Sequence, residues 1–417
     1  MTKVRQSTPA IDPWLDFQAL CHLGGRLCGT SSEVDARLYL TRRLKKLAIK
    51  YGGRFASLPI EYLGWSATKG KIISKKTSQK YGGQPLLYSP STAPGGIEAH
   101  IVDLGRGAES DFRKKEGEIA GKLALVRHEF MFSRSHIHRN QKYEWAVEHG
   151  ACGFLIAGGP DLEGPVSGGL GLRGATAAIP AMGISHGTAD LLGSSIENKV
   201  RLIVETSTKQ CKTESLIYEL PGEISEWIVV SAHLDGHCLG QSAIDNATGV
   251  ATAIAATESA ISSLTPQRGI RLCLFSIEEW GLLSSKHYVS SLTTKEIESI
   301  MLNINLDSVA GANGLAAFFS DYSKLGQFLE EIASNCNMPL ELHRPLVANS
   351  DHYNFAIAGI PSFRLLAGFE RPKTNMRHVL TAEDTIDKVD QAQLQLAAHF
   401  TSQVLGESVT RNQLSLR

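Results

Sequence analysis

The run Val229-Val230-Ser231-Ala232-His233-Leu234-Asp235, followed ten residues later by Asp245-Asn246-Ala247-Thr248-Gly249, delivers an imidazole and carboxylates to the end of an apolar strand. The same device recurs downstream. Leu272-Cys273-Leu274-Phe275-Ser276 reads as a second buried strand that ends in Glu278-Glu279, and Ile304-Asn305-Leu306 as a third that ends in Asp307. Helical patterns fall between them, so that strands over 227–232, 270–275 and 300–306 alternate with helices over 246–261 and 282–290. This alternation predicts an α/β fold with a mostly parallel sheet and helices on both faces. Open sheets of this kind place their sites at the carboxyl ends of strands, where these polar residues lie.

A His, a shared Asp, a Glu, a further Asp and a distal His form the mixed nitrogen and oxygen set that suits zinc. Two ions sharing one carboxylate need about five such ligands. Glu278 is then left over beside them. Adjacent glutamates at the end of a buried strand are costly unless positive charge neutralises them, and a spare carboxylate is what hydrolysis needs to move a proton from water to a leaving amine.

The order His-x-Asp, Asp-Asn-x-x-Gly, Glu-Glu, lone Asp and late His resembles the M28 family of co-catalytic zinc peptidases. The resemblance implies that His233, Asp245 and Asp307 hold one zinc, and that Asp245, Glu279 and His378 hold the other, with Asp245 bridging. Glu278 matches the general base, and Asp235 the carboxylate that orients the first His ligand. Two positions depart from the pattern. Ile244 stands where the family usually has a second acidic residue, and Arg377-His378-Val379-Leu380-Thr381-Ala382-Glu383-Asp384-Thr385 carries two residues more than the family's His-Thr-x-x-Asp-Thr run. The rival to His378 is His352 in Ser350-Asp351-His352, a segment matching a separate family motif and expected to orient substrate or stabilise the oxyanion. Arg364 and Arg371 flank the expected cleft and are candidates to clamp a substrate carboxylate.

Residues 1–90 read as a lead-in that packs on the catalytic core. It includes Arg26-Leu27-Cys28-Gly29-Thr30 and an amphipathic helix in which Val34, Leu38, Leu40, Leu44 and Leu47 recur among Arg37, Arg42, Arg43, Lys45 and Lys46, a basic face expected to be solvated. Residues 91–205 change to short strands and glycine-rich turns and resemble a protease-associated (PA) domain, a β-rich insert without catalytic residues that covers or restricts a cleft. Its stretch from Gly164 to Gly174, five glycines in eleven residues, reads as a mobile loop. His136-Ile137-His138, set among Arg134 and Arg139, reads as a solvated loop, because the arginines repel a cation. Residues 206–417 form the catalytic domain. Cys238, although close to His233, is assigned no ligand role.

The chain has 417 residues, 42% of them hydrophobic, enough to bury a large core. Lys plus Arg and Asp plus Glu are both 42, so no basic field exists to hold nucleic acid or an anionic membrane. No apolar segment reaches the ~20 residues of a membrane span, and residues 1–20 lack the apolar heart of a signal peptide. Seven scattered cysteines, none spaced Cys-x-x-Cys, fit reduced thiols and a cytoplasmic location. The expected activity is aminopeptidase hydrolysis of a peptide or small amide with two Zn²⁺ per chain; a homo-oligomer is compatible with the sequence. Carboxypeptidase or dipeptidase action, glutaminyl-cyclase-like acyl transfer on one zinc, and a metal-free binding protein are the alternatives.

Overall fold

The structure, a computed structural model, describes residues 11–171, 178–194, 199–344 and 346–417. The core sheet runs in the spatial order Leu340–His343, Leu315–Phe319, Ser362–Ala367, Ile300–Leu306, Ile224–His233, Arg268–Phe275 and Lys199–Leu220. Its three central strands, Ile300–Leu306, Ile224–His233 and Arg268–Phe275, are parallel. Ile224–His233 is apolar on both faces because each is covered. Ile228, Val230 and Ala232 pack with the helices Ser31–Tyr51, Thr248–Ser263 and Gln391–Thr410, whereas Val229 packs on the opposite side with Tyr288, Val289 and Phe355. Such two-sided burial is why the strands read as continuous apolar runs rather than alternating ones.

Three strands and two helices expected from the sequence are present, with ends moved by at most three residues. The lead-in helix, Ser31–Tyr51, differs in its face. Ala36, Leu40, Leu44 and Leu47 are buried, while Val34 and Leu38 are 40% and 49% exposed. Its basic face is not simply solvated: Arg43 pairs with Asp16 and Glu258, and Arg37 with Glu33 and Glu214.

Buried side-chain amides stitch the central strands together. Ser231 Oγ donates to Asn305 Oδ1 at 2.7 Å, Asn303 Nδ2 to Ser231 Oγ at 2.9 Å, and Asn305 Nδ2 to Ser350 Oγ at 2.8 Å. Satisfied in this way, the polar groups fix one register and anchor the Ser350 segment against the sheet.

The insert is carried on a long ribbon. Arg54–Ser74 and Lys199–Leu220 pair antiparallel from Arg54 with Glu219 to Ser74 with Val200, with a register shift between Ala67 and Lys69. The second strand is shared. Leu216 to Leu220 bond the core strand Arg268–Phe275, while Lys199 to Leu202 bond Ile97–Asp103 of the insert. The insert continues as the parallel strands Ile97–Asp103, Leu123–Arg127, Gly153–Ala157 and Ala181–Ile184, with their own buried clusters. One continuous strand thus joins both domains. Among the described residues, no helix is long and apolar enough to cross a membrane.

Candidate metal centre

Strand register brings the site together. Phe275 is level with His233, and Asn305 with Ser231, so continuing the parallel pairing by two residues sets Asp307 beside His233 and leaves Glu278 and Glu279 on the adjoining loop. His233 Nε2 lies 3.1 Å from Asp245 Oδ1 and 3.6 Å from Asp307 Oδ1. These three side chains form one set of donor atoms within 4.8 Å of one another. A second set consists of His237, Asp245 and Glu279, so Asp245 belongs to both; His233, Glu278 and Glu279 also converge.

The donor set fits a metal. His237 Nε2 and Glu279 Oε1 are 2.8 Å apart, yet both atoms, together with Asp245 Oδ1, are buried and lack an aligned hydrogen-bond partner among the described residues. Unshared lone pairs of imidazole and carboxylate facing one another are costly unless a cation receives them. The charges agree. Burial pushes the Glu278 carboxyl well above the usual range, with Glu279, Asp351 and Asp307 adding to it, and burial likewise raises Glu279, helped by Asp245. Burial opposes a charge on His233, but Glu278, Asp235, Asp245 and Asp307 overcome it and raise its pKa. Burial acts against ionisation of Asp307 too, yet Arg364 and His233 hold its carboxyl low.

Surrounding groups position the donors. Asp235 lies 3.7 Å from His233 Nδ1, outside hydrogen-bonding distance. Its oxygens instead accept from the backbone N–H of Glu278 at 3.1 Å and of Glu279 at 3.3 Å, which fixes the Glu-Glu turn. Arg364 Nη2 contacts Asp307 Oδ2 at 3.1 Å, so this arginine holds a carboxylate of the chain itself. Asp384, to which the sequence reading gave no role, accepts from Ile244 N at 2.7 Å and Asp245 N at 3.3 Å and so aims Asp245. Burial raises its pKa to about 7.

Arg26 supports the loop from beneath. Fully buried, it donates from Nε to Leu234 O at 3.0 Å, from Nη1 to Gln241 O at 2.8 Å and from Nη2 to Ser242 O at 2.8 Å. Arg26→Met leaves these carbonyls without donors and should lower stability by about 3 kcal/mol in urea denaturation. A loss below about 0.5 kcal/mol, the size of a neutral surface change, would show that the loop stands without it.

Three expected residues are elsewhere. His378 ends the short helical turn Asn375–His378, and its Nδ1 faces Glu383 Oε2 at 2.9 Å; it is absent from the donor sets. Counted back from Asp384-Thr385, the His-Thr-x-x-Asp-Thr pattern places its histidine at Leu380. Leu380 does line the cleft, and His237 stands among the donors that a histidine there would join. The clue in the sequence was His233-x-x-x-His237, two imidazoles on one strand-end loop. His352 is fully buried and does not line the cleft; neither ring nitrogen has a partner among the described residues, and burial lowers its pKa to about 3. Arg371 is paired with Glu341 at 2.8 Å, away from the cleft lining.

The cleft has a volume of about 570 Å³ and lies between the two domains. Its floor is the donor cluster, its walls include Tyr88, Phe132, Trp280 and Phe369, and the insert contributes His136, His138 and Arg139. The His136-x-His138 segment therefore borders the cleft, with His136 half-buried and His138 exposed, because the insert folds back over the strand ends. Of the Gly164 to Gly174 stretch, residues 172–174 lie outside the described residues; Gly169 and Gly171 line the cleft. Cys238 is exposed and free, apart from the donor sets.

A parallel-sheet core with carboxylates and imidazoles gathered at its strand ends defines a metal-binding α/β fold. Comparison with known proteins makes this specific. Residues 215–405 match the model of Peptidase family M28, and residues 85–192 that of the PA domain. Aminopeptidase YwaD of Bacillus subtilis is 24% identical over 396 residues, covering 93% of this chain and 82% of that protein. A probable lipoprotein aminopeptidase, LpqL, of Mycobacterium tuberculosis is 27% identical over 348 residues, covering 74% and 67%. Among solved structures, BSAP, a zinc aminopeptidase from Bacillus subtilis, superposes with a TM-score of 0.77 at 22% identity over 99% of this chain and 98% of that one. A peptidase M28 precursor from Shewanella amazonensis gives 0.80 at 22% identity, covering 97% and 94%. These structural likenesses establish the fold. The chain thus contains a region, residues 215–405, that matches peptidase family M28, joined to one that matches the PA domain.

Proposed function

We propose that the protein is a two-zinc aminopeptidase. The observation that carries the reading is the pair of donor sets sharing Asp245: His233, Asp245 and Asp307 would hold one zinc, and His237, Asp245 and Glu279 the other. Zinc bound there supplies positive charge that polarises the scissile carbonyl and makes water a stronger acid. The remaining work belongs to the chain. Glu278, buried and lining the cleft, takes the proton from the attacking water and returns it to the departing nitrogen; its raised affinity for protons suits both transfers. Asp235 keeps Glu278 and Glu279 in register, Arg364 steadies Asp307, and the insert excludes water from one side of the cleft. Names of relatives such as YwaD support exopeptidase action. The unpaired cysteines favour a reducing compartment, in keeping with a cytoplasmic site of action.

Elemental analysis of the dialysed protein should find close to two zinc equivalents per chain. Peptides with a free amino terminus should be cleaved and their N-acetylated forms spared. A value near one zinc, with no peptide cleaved, would overturn the reading in favour of single-metal acyl transfer.

A further inference from the structure

The cleft is electrically lopsided. Every carboxylate among its described lining residues belongs to the donor cluster, namely Asp245, Glu278, Glu279 and Asp307. Its arginines are Arg134, Arg139, Arg344 and Arg364. Arg364 pairs with Asp307 at 3.1 Å and Arg344 with Asp321 at 2.9 Å, while Arg134, which is exposed, places Nη2 3.0 Å from His343 Nδ1. Arg139 is different. It opens the helix Arg139–Glu148 of the insert, is only 7% exposed, and donates from Nε to Gly169 O at 2.8 Å. No carboxylate among the described residues makes an ion pair with it.

The neighbouring backbone is shaped to this guanidinium. A Cβ on Gly168, at φ +119°, would overlap the Arg139 guanidinium, and one on Gly171 would overlap the side-chain amide of Asn140. The glycines therefore let the loop close on these side chains and hold the guanidinium in the cleft wall. Burial lowers the Arg139 pKa only to about 10, so the group stays cationic at neutral pH; the carboxylate charge acting on it is that of Glu279. When Glu279 is engaged by a metal, that charge is committed elsewhere. A buried, positioned cation without an anion is expensive, and a guanidinium edge is shaped to receive a carboxylate through two parallel hydrogen bonds.

Resting on the peptidase reading, the geometry points to Arg139 as a specificity-determining residue through which the PA domain reads a carboxylate on the substrate. That carboxylate is either the carboxyl terminus of a short peptide or an acidic side chain.

Four peptides separate the sources: Leu-Gly against Leu-Gly-amide for the terminus, and Glu-Ala-amide against Gln-Ala-amide for the side chain. With the zinc-loaded protein, kcat/KM in one arm should favour the carboxylate by about 10- to 100-fold, the value of a charge-assisted hydrogen bond. Arg139→Met should bring that ratio towards one whatever the absolute rates, and Arg139→Lys should restore part of it. Calorimetric binding of the same four peptides should show the same preference. Ratios near one in both arms for the parent, or an undiminished ratio in Arg139→Met, would overturn the inference. If no peptide is cleaved, the peptidase reading falls by itself, and the calorimetric preference alone decides for or against Arg139.

Discussion

Glu278→Gln lowers turnover by about 10²- to 10⁴-fold while the protein keeps its full zinc content, because the amide preserves size and hydrogen bonding but cannot accept a proton. The expectation rests on position. Glu278 reaches the cleft from the turn that Asp235 holds through the backbone N–H groups of both glutamates, and the two donor sets that share Asp245 are complete without it. Glu279→Gln should behave differently, losing metal together with rate, since Glu279 Oε1 belongs to the set with His237. Parallel measurement of kcat and zinc content separates the two roles. Near-parental turnover in Glu278→Gln would remove it from the chemistry.

His237→Ala should reduce zinc from two equivalents to one, whereas His378→Ala should retain both. The contrast follows from where the two rings lie: His237 Nε2 sits 2.8 Å from Glu279 Oε1, and His378 Nδ1 sits 2.9 Å from Glu383 Oε2. A rescue sharpens the test. Leu380 lines the cleft at φ +70°, a backbone conformation that histidine tolerates better than leucine does. The double variant His237→Ala, Leu380→His should therefore regain part of the second zinc. Full zinc occupancy in His237→Ala, with loss in His378→Ala, would return the ligand to the later position.

The local signals were sufficient for much of this molecule. Strand Ile300–Leu306 lies where its apolar run predicted, and the polar ends of three strands marked Asp307, Glu278-Glu279 and His233. That legibility has a simple cause. A strand buried on both faces must be apolar along its length, so any charge at its end is conspicuous, and the parallel register then carries such ends to one edge of the sheet.

Other parts of the site could not be read in this way, because they depend on contacts between segments far apart in the chain. Asp384 reaches Asp245 across about 140 residues, and Arg26 reaches Ser242 across about 216; neither carries a periodic pattern. His378 fitted the order of the expected motif, but the motif's spacing points to Leu380, and only the folded loop placed His237 2.8 Å from Glu279. Arg139 lay in what read as a solvated basic loop. The sequence by itself determined the sheet, its strand-end carboxylates and the resemblance to the M28 peptidases. The tertiary structure decided which imidazole stands with Asp245 and Glu279, set by the loop that carries His237, and which cations line the cleft, set by how the shared ribbon lays the insert over the strand ends.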